Sequence, residues 1–142
     1  MRNIKLIIAG ISGAKAVALG ALGAHYLKSK LPTGLITPDQ LNGFDTAVKY
    51  QMYHTLAMLF LLLLSRHITH TFISWAYWCF FTGIVLFSGS LYVLCTRHLL
   101  GAEGLQVLGP VTPIGGLFFI AGWILLALLG LKKTQTSDPL QP

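Results

Sequence analysis

Four long apolar stretches constrain the fold of this chain more than any other feature of its sequence. They span approximately residues 6–27, 44–64, 72–94 and 113–131. A helix needs about 20 mostly apolar residues to cross the hydrocarbon core of a bilayer, and each stretch is close to that length. Only 10% of the residues are charged, whereas a soluble domain carries about 25%. The pattern predicts an all-α membrane protein, a bundle of four transmembrane helices.

Capping signals indicate where two of these helices begin. Residues 37–40, Thr-Pro-Asp-Gln, match an N-cap, a proline at the first helical position and a capping-box partner. The second helix is therefore expected to begin outside the bilayer and to enter it near Phe44. Thr112 and Pro113 repeat the N-cap and proline pattern at the start of the fourth helix.

Short connections predict that consecutive helices are antiparallel neighbours within one domain, residues 1–133, with both termini on the same side. Basic residues favour the cytoplasmic side of a membrane. Five of them lie on the side of the termini and three on the other side. The five are Arg2, Lys5, Arg66, Lys132 and Lys133. Both termini are therefore predicted to be cytoplasmic, and the polar residues 134–142 are expected to form a disordered tail.

Polar side chains within the stretches gather in the half of the bilayer farther from the termini. Counting along each helix at about 1.5 Å per residue places them there. The candidate polar cluster comprises His25, Tyr50, Gln51, His54, Ser88, Ser90, Tyr92 and Thr112. Two interpretations stay open: hydrogen bonds that hold the helices together, and a site for a ligand or an ion.

Lys15 lies near the middle of the first stretch, where a lysine costs about 2.5–3.5 kcal/mol on insertion scales. It either serves as an anion-attracting or titrating group, or is tolerated with its amine directed toward water. The middle of the stretches lacks the carboxylates that cation carriers use. A cation pump is therefore disfavoured.

Small residues recur at helical spacing and predict faces on which helices approach closely. The predicted helix-packing residues are Ser12, Ala16, Gly20 and Ala24 on the first helix, Gly83 on the third, and Gly115 and Gly122 on the fourth. Such faces serve contacts within the chain or between copies of it, and the sequence does not separate the two.

No motif in the chain specifies a reaction. A Gly-rich phosphate loop, a nucleophile elbow and a His-Glu zinc helix are all missing from the sequence. His67 and His70 are too few for a zinc site, which needs three or four ligands. The basic residues flank apolar stretches and form no patch interleaved with aromatics, which argues against nucleic-acid binding. The sequence predicts no catalytic residue, no cofactor and no metal.

Four segments resemble motifs of the YgdD-like family of small inner-membrane proteins, which has relatives among eukaryotic transmembrane proteins. They are Gly-Ala-Leu-Gly-Ala-His at 20–25, Tyr-Gln-Met-Tyr-His at 50–54, Leu-Phe-Ser-Gly-Ser-Leu-Tyr at 86–92, and Thr-Pro-Ile-Gly-Gly at 112–116 with Gly122-Trp123. The resemblance covers nearly the whole chain and implies a four-helix protein of the bacterial inner membrane. It supplies no catalytic residue, and it implies an apolar residue where this chain has Lys15.

Three functions follow as hypotheses. The first is a non-enzymatic structural, assembly or envelope-integrity protein, with the lipid bilayer, a second copy or other membrane proteins as partners. The second is a small oligomeric transporter or channel subunit with a polar site in the outer half of the bilayer. The third is a lipid- or quinone-active enzyme, in which His54 and Tyr50 would serve acid–base chemistry.

Overall fold

The computed structural model describes residues 3–131, which form four long helices and, within that range, no β-strand. The helices are α1 (Ile4–Leu27), α2 (Pro38–Leu64), α3 (Thr71–Thr96) and α4 (Val111–Leu131). Two π-helical turns, Gly23–Leu27 in α1 and Ile84–Ser88 in α3, interrupt the α-helical geometry. All four helices are long and apolar enough to cross a membrane, which confirms the predicted fold class. The predicted tail, residues 134–142, lies outside the described range.

The start of α2 has the predicted capping box. Thr37 Oγ1 accepts a hydrogen bond from the Gln40 backbone N–H over 3.2 Å. Gln40 Oε1 accepts one from the Thr37 backbone N–H over 2.9 Å. Because Pro38 has no N–H to satisfy, it fits the first helical position.

The start of α4 differs from the prediction. The helix begins at Val111, so Thr112 lies inside the first turn and is not the N-cap. The Thr112 hydroxyl instead lies 2.7 Å from Ser90 Oγ on α3. Pro113 is tolerated within the first turn because the backbone N–H groups there have no helical acceptor.

Consecutive helices are neighbours, and the order of contacts reverses from one helix to the next. Gly13 faces Thr55 and Gly23 faces Phe44, so ascending positions on α1 meet descending positions on α2. The same order is found for α2 against α3 and for α3 against α4. The contacts are His54 with Phe80, Phe44 with Tyr92, Gly122 with Phe80, and Ser90 with Thr112.

Two apolar clusters form the core, one toward each end of the bundle. The larger is built around Met58, Leu61 and Phe80, near the α2–α3 connection. The smaller contains Phe44 and Cys95 with Leu27 and Ile36 at the opposite end. On α2 the buried polar residues, from Gln51 to Thr55, lie between the two clusters. The polar side chains therefore form a layer within the bundle.

The small residues of α1 mark its packing face, with one difference from the prediction. Ser12 and Ala16 are buried against the bundle, and Gly20 lies close to Val48 of α2. Ala24, which was predicted on the same face, is exposed, while Gly23 is buried. Each step of four residues overshoots a helical turn by about 40°. A strict four-residue repeat therefore turns away from the contact after a few steps.

The predicted glycines lie between α3 and α4. A Cβ at Gly115 would overlap the backbone of Phe87. A Cβ at Gly83 or at Gly122 would overlap a phenylalanine ring of the opposite helix. The two helices therefore approach at distances that only glycine permits at these positions.

Candidate functional site

Gln51 joins three helices through one side chain. Its Nε2 donates to the backbone carbonyl of Ser12 on α1 over 2.8 Å, and its Oε1 accepts from the Tyr92 hydroxyl on α3 over 2.8 Å. Ser12 Oγ lies 2.7 Å from Thr55 Oγ1. Ser12, Gln51 and Thr55 are all buried. We call Ser12, Gln51, Thr55 and Tyr92 the Gln51 network.

His54 belongs to a second group of polar contacts, in which both of its ring nitrogens take part. Nδ1 lies 2.8 Å from the backbone carbonyl oxygen of Tyr50, and the Trp123 indole N–H donates to Nε2 over 3.3 Å. Because a carbonyl only accepts and an indole N–H only donates, both contacts fit the neutral ring with its proton on Nδ1. The ring stacks on Phe119 with centroids 3.5 Å apart. The surroundings of His54 therefore hold it in one orientation and one tautomer.

The remaining predicted residues lie in separate places. Ser90 joins α3 to α4 through Thr112 and also donates to the Phe87 carbonyl over 3.0 Å. Ser88 Oγ is buried and has no hydrogen-bond partner among residues 3–131. His25 is exposed on the π-helical turn of α1.

The residues of the predicted cluster thus lie in several separate groups of contacts. The structure brings together Gln51 with Tyr92, Tyr50 with His54, and Ser90 with Thr112. Two further residues, Thr55 and Trp123, take part in these contacts, although neither was part of the predicted polar cluster. Thr55 lies four residues after Gln51 on α2, so helical spacing was a usable signal for it.

Two lateral cavities lie beside these contacts. One, of about 380 Å³, lies between α1 and α3 and is lined by Lys15, Gln51 and Tyr92 among apolar residues. The other, of about 610 Å³, lies between α2 and α4 and is lined by His54 and several aromatic side chains. Lys15 is exposed, and the structure gives it no ion pair with a described carboxylate. Within residues 3–131 no three His, Cys, Asp or Glu side chains are grouped to hold a metal ion.

The chain is similar in sequence to a family of bacterial membrane proteins. A family model described as "Protein of unknown function (DUF423)" matches residues 19–116. The UPF0382 membrane protein SAB0533 of Staphylococcus aureus is 40% identical over 127 residues, which cover 89% of this chain and 94% of the relative. No solved structure matches the chain.

Two further relatives come from other bacteria. The UPF0382 membrane protein YwdK of Bacillus subtilis is 37% identical over 131 residues, covering 92% of this chain and 98% of the relative. The UPF0382 inner membrane protein YgdD of Escherichia coli is 40% identical over 138 residues, covering 93% of this chain and 94% of the relative. These matches confirm the resemblance drawn from the four motifs. With four apolar helices and a family model that covers most of its length, the chain belongs to the DUF423 family of membrane proteins of unknown function.

Proposed function

We propose that this protein is a non-enzymatic structural component of the bacterial inner membrane, which supports the assembly of other membrane proteins or the integrity of the envelope. The observation that carries the proposal is the use of polar side chains inside the bundle. Gln51 and His54 each make two hydrogen bonds to other groups of the same chain. Polar groups in hydrocarbon need protein partners. Groups already paired in this way hold helices together and are not directed at a solute.

The orientation in the membrane is part of the same proposal. The reversed order of contacts between consecutive helices supports antiparallel packing. Antiparallel packing of four spans places both termini on one side. The excess of basic residues there favours the cytoplasm. The printed name of the Escherichia coli relative supports the inner membrane as the location.

The proposal is tested with a substitution that removes the reactive ring nitrogens of His54 but keeps an aromatic ring in the same place. In a bacterial strain that lacks the gene, the measurement is the entry of a dye that an intact envelope excludes. His54→Phe keeps a ring against Phe119 and removes both nitrogens that acid–base or ion-binding chemistry would need. His54→Phe also loses the hydrogen bond from Trp123, which is expected to cost only about 0.6 kcal/mol. At wild-type abundance we therefore expect His54→Phe to restore the barrier as well as the wild-type protein does.

Gly122→Leu provides the comparison for lost packing, because its side chain would overlap the ring of Phe80. It is expected to reduce the amount of folded protein and to fail to restore the barrier. Failure of His54→Phe at wild-type abundance would contradict the proposal and assign a chemical role to His54. For the assembly role, crosslinking in membranes should yield a reproducible complex, and a strictly monomeric protein would count against it.

One observation favours the alternative of a small oligomeric transporter or channel subunit. The cavity between α1 and α3 combines Lys15 with the edge of the Gln51 network. A solute that crosses through this cavity would contact Gln51 and Tyr92. Solute flux into reconstituted vesicles, lost in Gln51→Ala, would favour the alternative. Equal flux in wild type and Gln51→Ala would exclude this site for transport.

A further inference from the structure

A third cavity, of about 290 Å³, lies at the end of the bundle that contains the start of α1. It is bounded by three helix ends: the start of α1, the end of α2 and the start of α3. Its lining includes Asn3, Lys5, Ser65, Thr69, His70 and Ser74. The three helix ends therefore bring six polar side chains, from segments distant in sequence, to one small space.

Lys5 is held in place beside this cavity. Its Nζ donates to Ser74 Oγ on α3 over 2.9 Å and lies 5.3 Å from the ring centroid of Tyr77. The Tyr77 hydroxyl in turn donates to the Lys5 carbonyl over 2.6 Å. An ammonium group carries three N–H donors, so the bond to Ser74 leaves two for another acceptor. The cation is thus positioned before any ligand arrives.

His70 supplies a further donor at the same cavity. Its Nδ1 accepts a hydrogen bond from the Phe72 backbone N–H over 3.1 Å, which places the proton of the neutral ring on Nε2. The Thr69 hydroxyl adds one more group that can donate, whereas the Ser65 hydroxyl already donates to the Leu62 carbonyl over 2.7 Å and can only accept from a ligand. Lys5, His70 and Thr69 therefore supply hydrogen-bond donors to the cavity.

The charge of the cavity is positive. None of the described residues that line it is an Asp or a Glu, and Lys5 contributes a fixed cation. Arg66 is exposed on the adjacent connection and adds to the positive potential. A cluster of donors around a cation is the arrangement that binds oxyanions through charge-assisted hydrogen bonds.

The polarity changes with depth in a way that suits an amphiphile. The polar residues Lys5, Ser65 and His70 lie at helix ends, where the interface of the bilayer is expected. Three of the apolar lining residues, Leu61, Leu62 and Ile73, lie toward the middle of the bundle, and the fourth, Ile68, lies on the α2–α3 connection. A phospholipid presents a charged group at the interface and apolar carbon atoms below it.

We propose that this cavity binds an anionic phosphate group, with Lys5 as the principal cation. Its position at the helix ends favours a phospholipid headgroup over a free phosphate ion. The proposal goes beyond the structural role proposed above and does not depend on it, since a transporter or an enzyme could carry the same site.

The experiment measures binding of the first lipid to the purified full-length chain in a non-ionic detergent, by native mass spectrometry. Phosphatidylglycerol and phosphatidylcholine are titrated separately, and inorganic phosphate is added as a competitor in a third series. The test variant is Lys5→Gln, whose amide can still bond to Ser74. Lys30→Gln is the matched control, because Lys30 also lies over a tyrosine ring, 5.0 Å from the centroid of Tyr26, but on the far side of the bundle.

The wild type is expected to bind phosphatidylglycerol more tightly than phosphatidylcholine. Lys5→Gln should weaken phosphatidylglycerol binding about fivefold, which corresponds to the effect of one basic residue near a membrane surface. Lys30→Gln should bind as the wild type does. If inorganic phosphate displaces the lipid, the site also binds the free ion. If it does not, the bound phosphate group is that of a phospholipid.

Ser74→Ala serves as a second variant should Lys5→Gln fail to fold, since it keeps the charge but releases the Lys5 ammonium from its partner. It is expected to weaken phosphatidylglycerol binding to a smaller extent. Equal affinity of the wild type for the two lipids would overturn the proposal. Equal losses in the Lys5 and Lys30 variants would also overturn it, because they would show a general effect of charge.

Discussion

Gln51 connects α2 to both α1 and α3 through one side chain. Its amide binds a backbone carbonyl on α1 and a hydroxyl on α3. A glutamine in a predicted span was visible in the sequence, and its motif with Tyr50 and His54 was part of the family resemblance. Its partners were not visible, because they depend on how α1 and α3 are rotated about their own axes.

Replacement of Gln51 by leucine is expected to lower the free energy of unfolding by about 1–3 kcal/mol, since hydrogen bonds between membrane helices contribute about 0.6 kcal/mol and at most about 1.7 kcal/mol each. The measurement is reversible unfolding in mixed micelles with increasing sodium dodecyl sulfate. Tyr92→Phe removes one of the two bonds and should cost about half as much. A Gln51→Leu protein as stable as the wild type would show that the network contributes nothing.

Lys15 is expected to be a cost to stability. It lies in the middle of α1, is exposed, and has no ion pair with the described carboxylates. Lys15→Leu should raise the free energy of unfolding, by up to about 2.5–3.5 kcal/mol if the amine does not reach water and by less if it does. The same micelle titration measures the change. Lys28→Leu, at the end of α1, is the control and should give no comparable gain. A less stable Lys15→Leu protein would indicate that the lysine has a favourable partner.

At the scale of the helix, glycines decide how α3 and α4 pack. Gly115 allows the backbone of Phe87 to approach, and the neighbouring Gly116 has more room, with its nearest contact at 3.9 Å. The pair therefore separates two effects of an added methyl group: steric overlap at one position, and ordinary van der Waals contact at the next.

Gly115→Ala is expected to destabilise the protein by about 1–3 kcal/mol, the usual cost of overpacking a tight contact. Gly116→Ala should be neutral or slightly stabilising, because alanine favours the helix by about 1 kcal/mol over glycine. Thermal unfolding in detergent, followed by far-ultraviolet circular dichroism, measures both. Equal effects of the two substitutions would contradict the close approach of α3 and α4 at Gly115.

The helices themselves were predictable from the sequence, whereas details of their ends and faces were not. Apolar length and the capping residues at 37–40 are local signals, and α2 begins where they indicate. The N-cap assigned to Thr112 was wrong because the helix already begins at Val111, and the Thr112 hydroxyl bonds to Ser90 on another helix. Ala24 lies off the predicted packing face because a helical turn takes about 3.6 residues, so that residues spaced by four rotate gradually around the helix. The amino-acid composition of the two π-helical turns gave no signal from which they could be predicted.

For the whole molecule, the central feature is a polar layer between two apolar clusters. The positions of its residues along each helix could be estimated from the sequence, because a helix rises by about 1.5 Å per residue. Its division into separate contacts could not, because directions around each helix depend on packing against the other helices. The exposed His25 shows the difference, since its depth is similar to that of a cluster member but its side chain faces outward.

The proposed cytoplasmic location of both termini is tested with reporter fusions. A fluorescent protein that folds only in the cytoplasm should be bright when fused at either terminus. Alkaline phosphatase, which is active only outside the cytoplasm, should be active when inserted at Gly34, between α1 and α2. Active phosphatase at a terminus, or bright fluorescence at Gly34, would contradict the proposed orientation.

The structural role of the polar layer is tested most directly by measuring whether water reaches it. Ser90→Cys, Thr55→Cys and His25→Cys are compared in a background with Cys79 and Cys95 replaced by alanine, in membranes open on both sides. The rate of modification by a charged maleimide is measured before and after unfolding. We expect rapid modification at position 25, where the native side chain is exposed, and protection at positions 55 and 90 until the protein is unfolded, because both native side chains are buried. Modification at 55 and 90 as fast as at 25 would show a water-filled site and contradict the structural role of the polar layer.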